Sequence, residues 1–199
     1  AEHIDGNRPA IYVSNHASPL DIFIAMWQSP VGTVGVAKKS VIFYPFIGQV
    51  YALSGHLRID RGRTDRAVQG MRRLAELVRS RQLSIFLWPE GTRSRSGRLL
   101  PFKKGVVHLA VQTGLPLVPC VVVGAHRCWE PDSLTVRHVE ILLKVLPAID
   151  TSEWCVEQMD QHLASLESVF VRELPEDQRP LSGEDSAQEA AGVGPLDDA

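Results

Sequence analysis

Two unbroken apolar runs constrain this chain most: LSIFLW at 83–88 and PLVPCVVVG at 116–124. Each has the length of a strand, and neither alternates polar with apolar residues. Strands read this way when helices cover both faces of a parallel sheet. Residues 10–14 (AIYVS), 31–37 (VGTVGVA), 56–60 and 138–146 (HVEILLKVL) read as further strands. Helical segments lie between them. Ser18 caps and Pro19 opens a helix to about Gln28, with Asp21 as its third residue. Thr64 caps a helix over 65–80, where Ala67, Val68, Met71, Leu74, Ala75, Leu77 and Val78 recur at helical spacing opposite Arg66, Arg72, Arg73 and Arg79. Residues 105–113 form another helix, stopped by Gly114. A last one, about 152–172, lines up Trp154, Met159, Leu163, Leu166 and Phe170. Strands alternating with helices give an α/β class, here a mixed, largely parallel sheet flanked by helices.

The apolar fraction of 44% over 199 residues suits one domain with a sizeable core. The net charge of −2 hides an asymmetry. From Glu173 onward there are eight acids and one base, so the rest carries 20 bases against 15 acids. Residues 1–173 are therefore expected to form the folded domain, and 174–199 an acidic, disordered tail. A basic body suggests an anionic partner: phosphate, an anionic membrane surface or nucleic acid. No nucleic-acid-binding module is recognisable, and the acidic tail argues against that partner.

Cys120, Cys128 and Cys155 are odd in number and lack CxxC spacing, which points away from a disulfide framework or a structural zinc site. No uninterrupted apolar run reaches 18 residues, and no signal peptide is visible. The chain opens with Ala1, so these two readings cover only the residues given.

The stretch YVSNHASPLD, 12–21, places His16 five positions before Asp21. A carboxylate on one imidazole nitrogen fixes the tautomer and leaves the other nitrogen as a base near neutral pH. Equally, Asp21 completes a capping box and His16 is a loop histidine; on these residues alone the capping reading is preferred. In LWPEGTRSRSG, 87–97, a buried strand runs into a polar loop with Glu90, Gly91, Thr92 and Arg93, the place where α/β sheets bind ligands. Gly91 permits close backbone approach and Arg93 offers a planar fork to phosphate, although an ordinary solvated turn reads the same. Lys38 and Lys39 in VAKKS, and Arg58 and Arg61 in SGHLRIDR, add cations of the kind a phosphate-bearing substrate near a base would need. No second histidine–carboxylate cluster at ligand spacing supports a metal on His16 and Asp21.

In combination these stretches resemble the HX4D glycerolipid acyltransferases, and most closely the 1-acylglycerol-3-phosphate acyltransferases. NHASPLD is similar to their HX4D motif and WPEGTR to their EGTR motif, with GHLRIDR between and FKKG and VPCV after, in the family order over about residues 1–150. This ordered set reverses the preference for the capping reading. The resemblance implies His16 as general base and Asp21 as its orienting acid. It implies Lys38, Arg61 and Arg93 at the acceptor phosphate, Glu90, Gly91 and Thr92 as the acceptor-site motif, and Pro119 on the acyl-donor side, with Lys103 also matching. It further implies an acyl thioester co-substrate, acyl-CoA or acyl-ACP, with no cofactor or metal. The partners would be a lysophospholipid and a membrane surface, with acyl carrier protein as a potential donor. The location would be the cytoplasmic face of a membrane, held peripherally or by an N-terminal segment beyond this chain. Arg58 departs from the aromatic or aliphatic residue usual there, which bears on the acceptor headgroup. Residues 40–52 and the arginine face of 65–80 are the candidate lipid contacts, against core packing and a solvated face. Alternatives are the same chemistry on another lysophospholipid or glycerol 3-phosphate, or a non-catalytic lipid-binding module.

Overall fold

A computed structural model describes residues 8–38, 57–59, 64–130 and 133–181. Six described strands form one sheet: β1 (Ile11–Ser14), β2 (Thr33–Lys38), β3 (Leu57–Ile59), β4 (Ser84–Leu87), β5 (Leu117–Val123) and β6 (Leu142–Val145). Their order is β3-β2-β4-β1-β5-β6, parallel throughout except for the antiparallel β5–β6 pair. This is the mixed, largely parallel sheet expected. β1 lies between β4 and β5, with Tyr12 opposite both Phe86 and Val118.

The helices among the described residues are α1 (Asp21–Gln28), α2 (Thr64–Arg81), α3 (Gly105–Thr113), α4 (Ala125–Cys128) and α5 (Met159–Glu173). Side chains alternate across β1 and separate the core into two layers. Ile11 and Val13 join Ile85, Leu87, Val107, Leu109, Leu166 and Phe170 on the face covered by α2, α3 and α5. Tyr12 joins Phe86, Val118 and Ala25 of α1 on the other face. The chain therefore leaves adjacent strands β1 and β4 toward opposite faces. Such a divergence opens a crevice at the carboxyl ends of the two strands, where α/β sheets hold ligands.

Several boundaries differ from expectation. Pro19 and Leu20 form a turn, and α1 begins at Asp21. Thr64 is the first residue of α2 rather than its cap. Leu74, Ala75 and Val78 of α2 are buried and Arg72, Arg73 and Arg79 exposed, as the spacing implied. The last helix starts at Met159 instead of about 152, because the Asp150 carboxylate accepts from both the Ser152 amide (2.9 Å) and its hydroxyl (3.0 Å). Local side-chain bonds of this kind hold the backbone out of a helix. β6 shortens to 142–145 because β5 offers only Cys120–Val123 as partners before it turns at Gly124.

The folded unit also continues past residue 173, where the acidic tail was expected to start. Leu174 and Gln178 are both 1% exposed, and Glu176–Gln178 form a 3-10 turn. Residues 40–52, Arg61 and 182–199 lie outside the described residues, as does the side chain of Arg58.

Candidate active site

His16 emerges from the carboxyl end of β1, and Asp21 sits in the first turn of α1. Their side chains meet, with His16 Nδ1 2.8 Å from Asp21 Oδ2. The same oxygen accepts the amides of Ala17 (2.7 Å) and Ser18 (2.8 Å). Asp21 is 2% exposed and His16 16%. Three donors thus hold one carboxylate oxygen at a helix N-terminus, a position that favours negative charge. A carboxylate can only accept, so Nδ1 carries the hydrogen and Nε2 is left as the basic nitrogen. The oxygen that orients His16 also accepts the Ser18 amide, but α1 begins at Asp21 with Leu20 as its N-cap and no side-chain cap bond. Asp21 is therefore the first helical residue and not the third residue of a capping box. Ser18 Oγ accepts the Leu20 amide at 3.2 Å and donates to the Trp129 carbonyl at 2.7 Å.

β4 pairs directly with β1, which brings the second polar loop alongside the first. Glu90 is 1% exposed and spans the junction. Its Oε1 accepts the His16 amide at 2.6 Å, and its Oε2 accepts the Leu100 amide at 2.9 Å. Burial pushes the Glu90 carboxyl up to about 8; the two amides oppose this shift and the nearby Asp21 charge adds to it. The Ser94 amide donates to the His16 carbonyl at 2.8 Å. Gly91, at φ 77°, makes the turn that sends the chain back over the site, in a region glycine enters without steric cost. Arg93 follows in the same loop, half-buried, and Thr92 is exposed.

The structure thus brings His16, Asp21 and Glu90 into direct contact and places Gly91, Thr92 and Arg93 in the adjoining loop. Lys38 is the last residue of β2, with its side chain outside the described residues. Pro119 is buried within β5, opposite Val13 of β1. Lys103 is exposed, and its amide donates to the Pro89 carbonyl at 2.7 Å.

Two residues of the site were not singled out in the sequence. Trp88 stacks on the His16 ring at 4.5 Å between centroids, with 22° between planes. Asn15 continues β1 as a side chain: its Nδ2 donates to the Val122 carbonyl and its Oδ1 accepts the Val122 amide, both at 2.8 Å. The apolar run ending at Trp88 gave a signal for the first. For the second, a polar residue at a strand end, no pattern distinguishes it from a turn residue. The three cysteines are free thiols. Burial pushes the Cys120 thiol up to about 12, which leaves it inert as a nucleophile. Among the described residues, no group of three or more His, Cys, Asp or Glu side chains is placed to hold a metal.

Comparisons with known proteins bear on the family. A family model described as Acyltransferase matches residues 1–123. The chain is 51% identical over 172 residues to the 1-acyl-sn-glycerol-3-phosphate acyltransferase of Limnanthes douglasii, covering 86% of this chain and 61% of that protein. It is 34% identical over 184 residues to the enzyme of that name from Escherichia coli (strain K12), covering 92% and 72%. The crystal structure of the 1-acyl-sn-glycerophosphate (LPA) acyltransferase from Thermotoga maritima superposes with a TM-score of 0.71 at 26% identity, over 86% of this chain and 67% of that one. The chain spans 61% of the length of its Limnanthes relative, so it corresponds to a part of that protein. A matched model over residues 1–123, a 34% identical relative covered to 72%, and the superposed sheet all converge: the chain belongs to the acyltransferase family.

Proposed function

We propose that the chain transfers a fatty acyl group from an acyl thioester, acyl-CoA or acyl-ACP, to the free hydroxyl of 1-acyl-sn-glycerol 3-phosphate. The product is phosphatidic acid, and the step belongs to phospholipid biosynthesis. One observation carries this reading: the 2.8 Å contact of His16 Nδ1 with Asp21 Oδ2, just past the carboxyl end of β1 beside β4. The relatives' names supply the substrate class.

In this mechanism Nε2 of His16 takes the hydroxyl proton as the acceptor oxygen attacks the thioester carbonyl carbon. The carbon–oxygen bond forms and the carbonyl electrons move onto oxygen. Collapse of this tetrahedral species breaks the carbon–sulfur bond, and the departing thiolate takes the proton back from Nε2. Asp21 holds the ring for both transfers and steadies the imidazolium between them. No enzyme group is acylated, and the steps use no cofactor beyond the thioester. Arg93, with Lys38 and Arg61, holds the acceptor phosphate; Glu90, Gly91 and Thr92 shape its loop; Pro119 lies on the acyl-donor side. The reaction takes place at the cytoplasmic face of a membrane, where both lipids reside. No described helix is long and apolar enough to cross a membrane.

The test is thiol release from a long-chain acyl-CoA, and separately from acyl-ACP, with and without lysophosphatidate, for the parent chain and His16→Ala. Release that depends on lysophosphatidate and disappears in the variant supports the proposal. Release supported only by another lysophospholipid or glycerol 3-phosphate keeps the chemistry and changes the acceptor. Binding of lipid without release under any acceptor favours a non-catalytic module.

A further inference from the structure

The segment after α5 does not leave the domain. It turns at Pro175 and returns to the loop that follows β4. Gln178, 1% exposed, sits at the centre of this return. Its backbone carbonyl accepts the Leu99 amide at 2.8 Å. Its side-chain Oε1 accepts the Gly124 amide at 2.9 Å, and its Nε2 reaches the Gly97 carbonyl at 3.5 Å. Arg98 adds two bonds from its guanidinium, to the carbonyls of Glu176 (3.2 Å) and Arg179 (3.0 Å). Arg127 of α4 pairs with Asp177. One buried side chain therefore joins three pieces of chain: the C-terminal turn, the 94–100 loop and the exit of β5.

The consequence for the site follows from what the loop touches next. Ser94 bonds the His16 carbonyl, and Leu100 bonds Glu90, which in turn bonds the His16 amide. Arg93 immediately precedes Ser94. The loop is thus tied at its two ends to His16 and Glu90 and along its middle, at Gly97 and Leu99, to Gln178. The seat is also tight: a Cβ on Gly97 would stand 2.5 Å from the ring of His126. At φ 84° this glycine occupies a conformation other residues adopt only with strain.

We propose that Gln178 is a positioning residue for acceptor binding: it latches the 94–100 loop so that Arg93 is held beside His16. The inference rests on the acyltransferase reading and on Arg93 as the phosphate ligand. It assigns a function to a residue that composition alone places in a solvated tail. Gln178 touches no reacting atom, so its removal acts on the acceptor far more than on the thioester.

The experiment uses the full chain with Gln178→Ala, with Gln178→Met, which keeps side-chain length and removes both bonds, and with Gly97→Ala. KM for lysophosphatidate and for acyl-CoA are measured separately, alongside hydrogen exchange of the 94–100 amides. The expected result is faster exchange at 94–100 and an acceptor KM raised on the order of tenfold, the size of one or two lost hydrogen bonds, with the acyl-CoA KM little changed. A fall in kcat with both KM values unchanged, or an equal rise in both, reduces Gln178 to general stability and overturns the proposal. So does unaltered exchange at 94–100. If the parent chain turns over no acceptor at all, the acyltransferase reading fails instead, and the exchange data still decide whether the latch exists.

Discussion

The loop after β1 and the loop after β4 leave neighbouring strands side by side, yet they are held differently. The first is short and closes its side-chain pair locally, with its backbone also tied to Glu90 and Ser94 at His16. Asp21 reaches back three to five residues to Ser18, Ala17 and His16. The second is long and held from outside. His16 bonds Ser94, Gln178 bonds Leu99, Glu167 of α5 accepts the Phe102 amide, and its own Glu90 bonds back to His16. A side-chain pair closed within one turn can carry a geometry that must not vary, which on the proposed function is that of a base and its orienting acid. A loop anchored at distant points can be tuned by those points, which suits the binding of a variable acceptor. The difference predicts that damage to the first loop removes the chemistry, while damage to the second loosens it.

The largest effect tests the first half of that comparison. His16→Ala should lower kcat by roughly 10²- to 10⁴-fold, the usual contribution of a positioned base. Asp21→Asn should cost nearly as much, and the double variant little more than either alone, because the two side chains act as one unit. Steady-state thiol release checks this; additive losses would separate the pair into independent residues. Next in size is Asn15→Ala, which removes both partners of Val122 and should reduce stability by about 3 kcal/mol, measured by urea unfolding. A loss well under 1 kcal/mol would show that β1 and β5 hold without the side-chain bridge.

Glu90→Gln sharpens the second half. The amide replaces one of two acceptors, so the His16 or Leu100 amide loses its bond and kcat should fall roughly tenfold. Its pH signature is specific. Between the ordinary 4.5 and about 8, Glu90 is protonated in the fold and ionised in the unfolded chain. The unfolded state then binds fewer protons, so this group's contribution to stability declines as pH rises through that window and levels off above it. Urea midpoints at pH 5 and pH 8 should therefore move in favour of Glu90→Gln as pH increases. Parallel midpoints for parent and variant would show that the carboxyl is not raised. Smallest is Ser18→Ala, expected to cost about 1 kcal/mol through its lost bonds to Leu20 and Trp129.

What could be read from the sequence follows the same division. The unbroken runs at 83–88 and 116–124 announced strands covered on both faces, and β4 and β5 lie inside them. The spacing of His16 and Asp21 allowed a contact, because a carboxylate in a first helical turn reaches back over the residues before it, but only the ordered set of family-like motifs favoured that contact over capping alone. Glu90 was legible as a motif residue but not as the link between two loops. Gln178 was not legible at all: the acid-rich composition of 174–199 outweighed one glutamine and one leucine that turn out to be buried. Helix starts were misplaced at Pro19 and at 152, where turns built by Ser18 and Asp150 take over the backbone donors.

The sequence by itself determined the class of fold and the succession of strands and longer helices, and it placed His16 and Asp21 within reach of each other. Each of these depends on residues within one turn or one strand of each other, where side-chain spacing and backbone propensity act directly. Only the tertiary structure decided that β4 lies against β1, that Glu90 bonds His16 across a separation of 74 residues, and that Gln178 closes on Gly97 from 81 residues away. Such bonds are worth making only after the sheet has assembled and excluded water from their polar groups. Sheet order, and not any local preference, selects their partners.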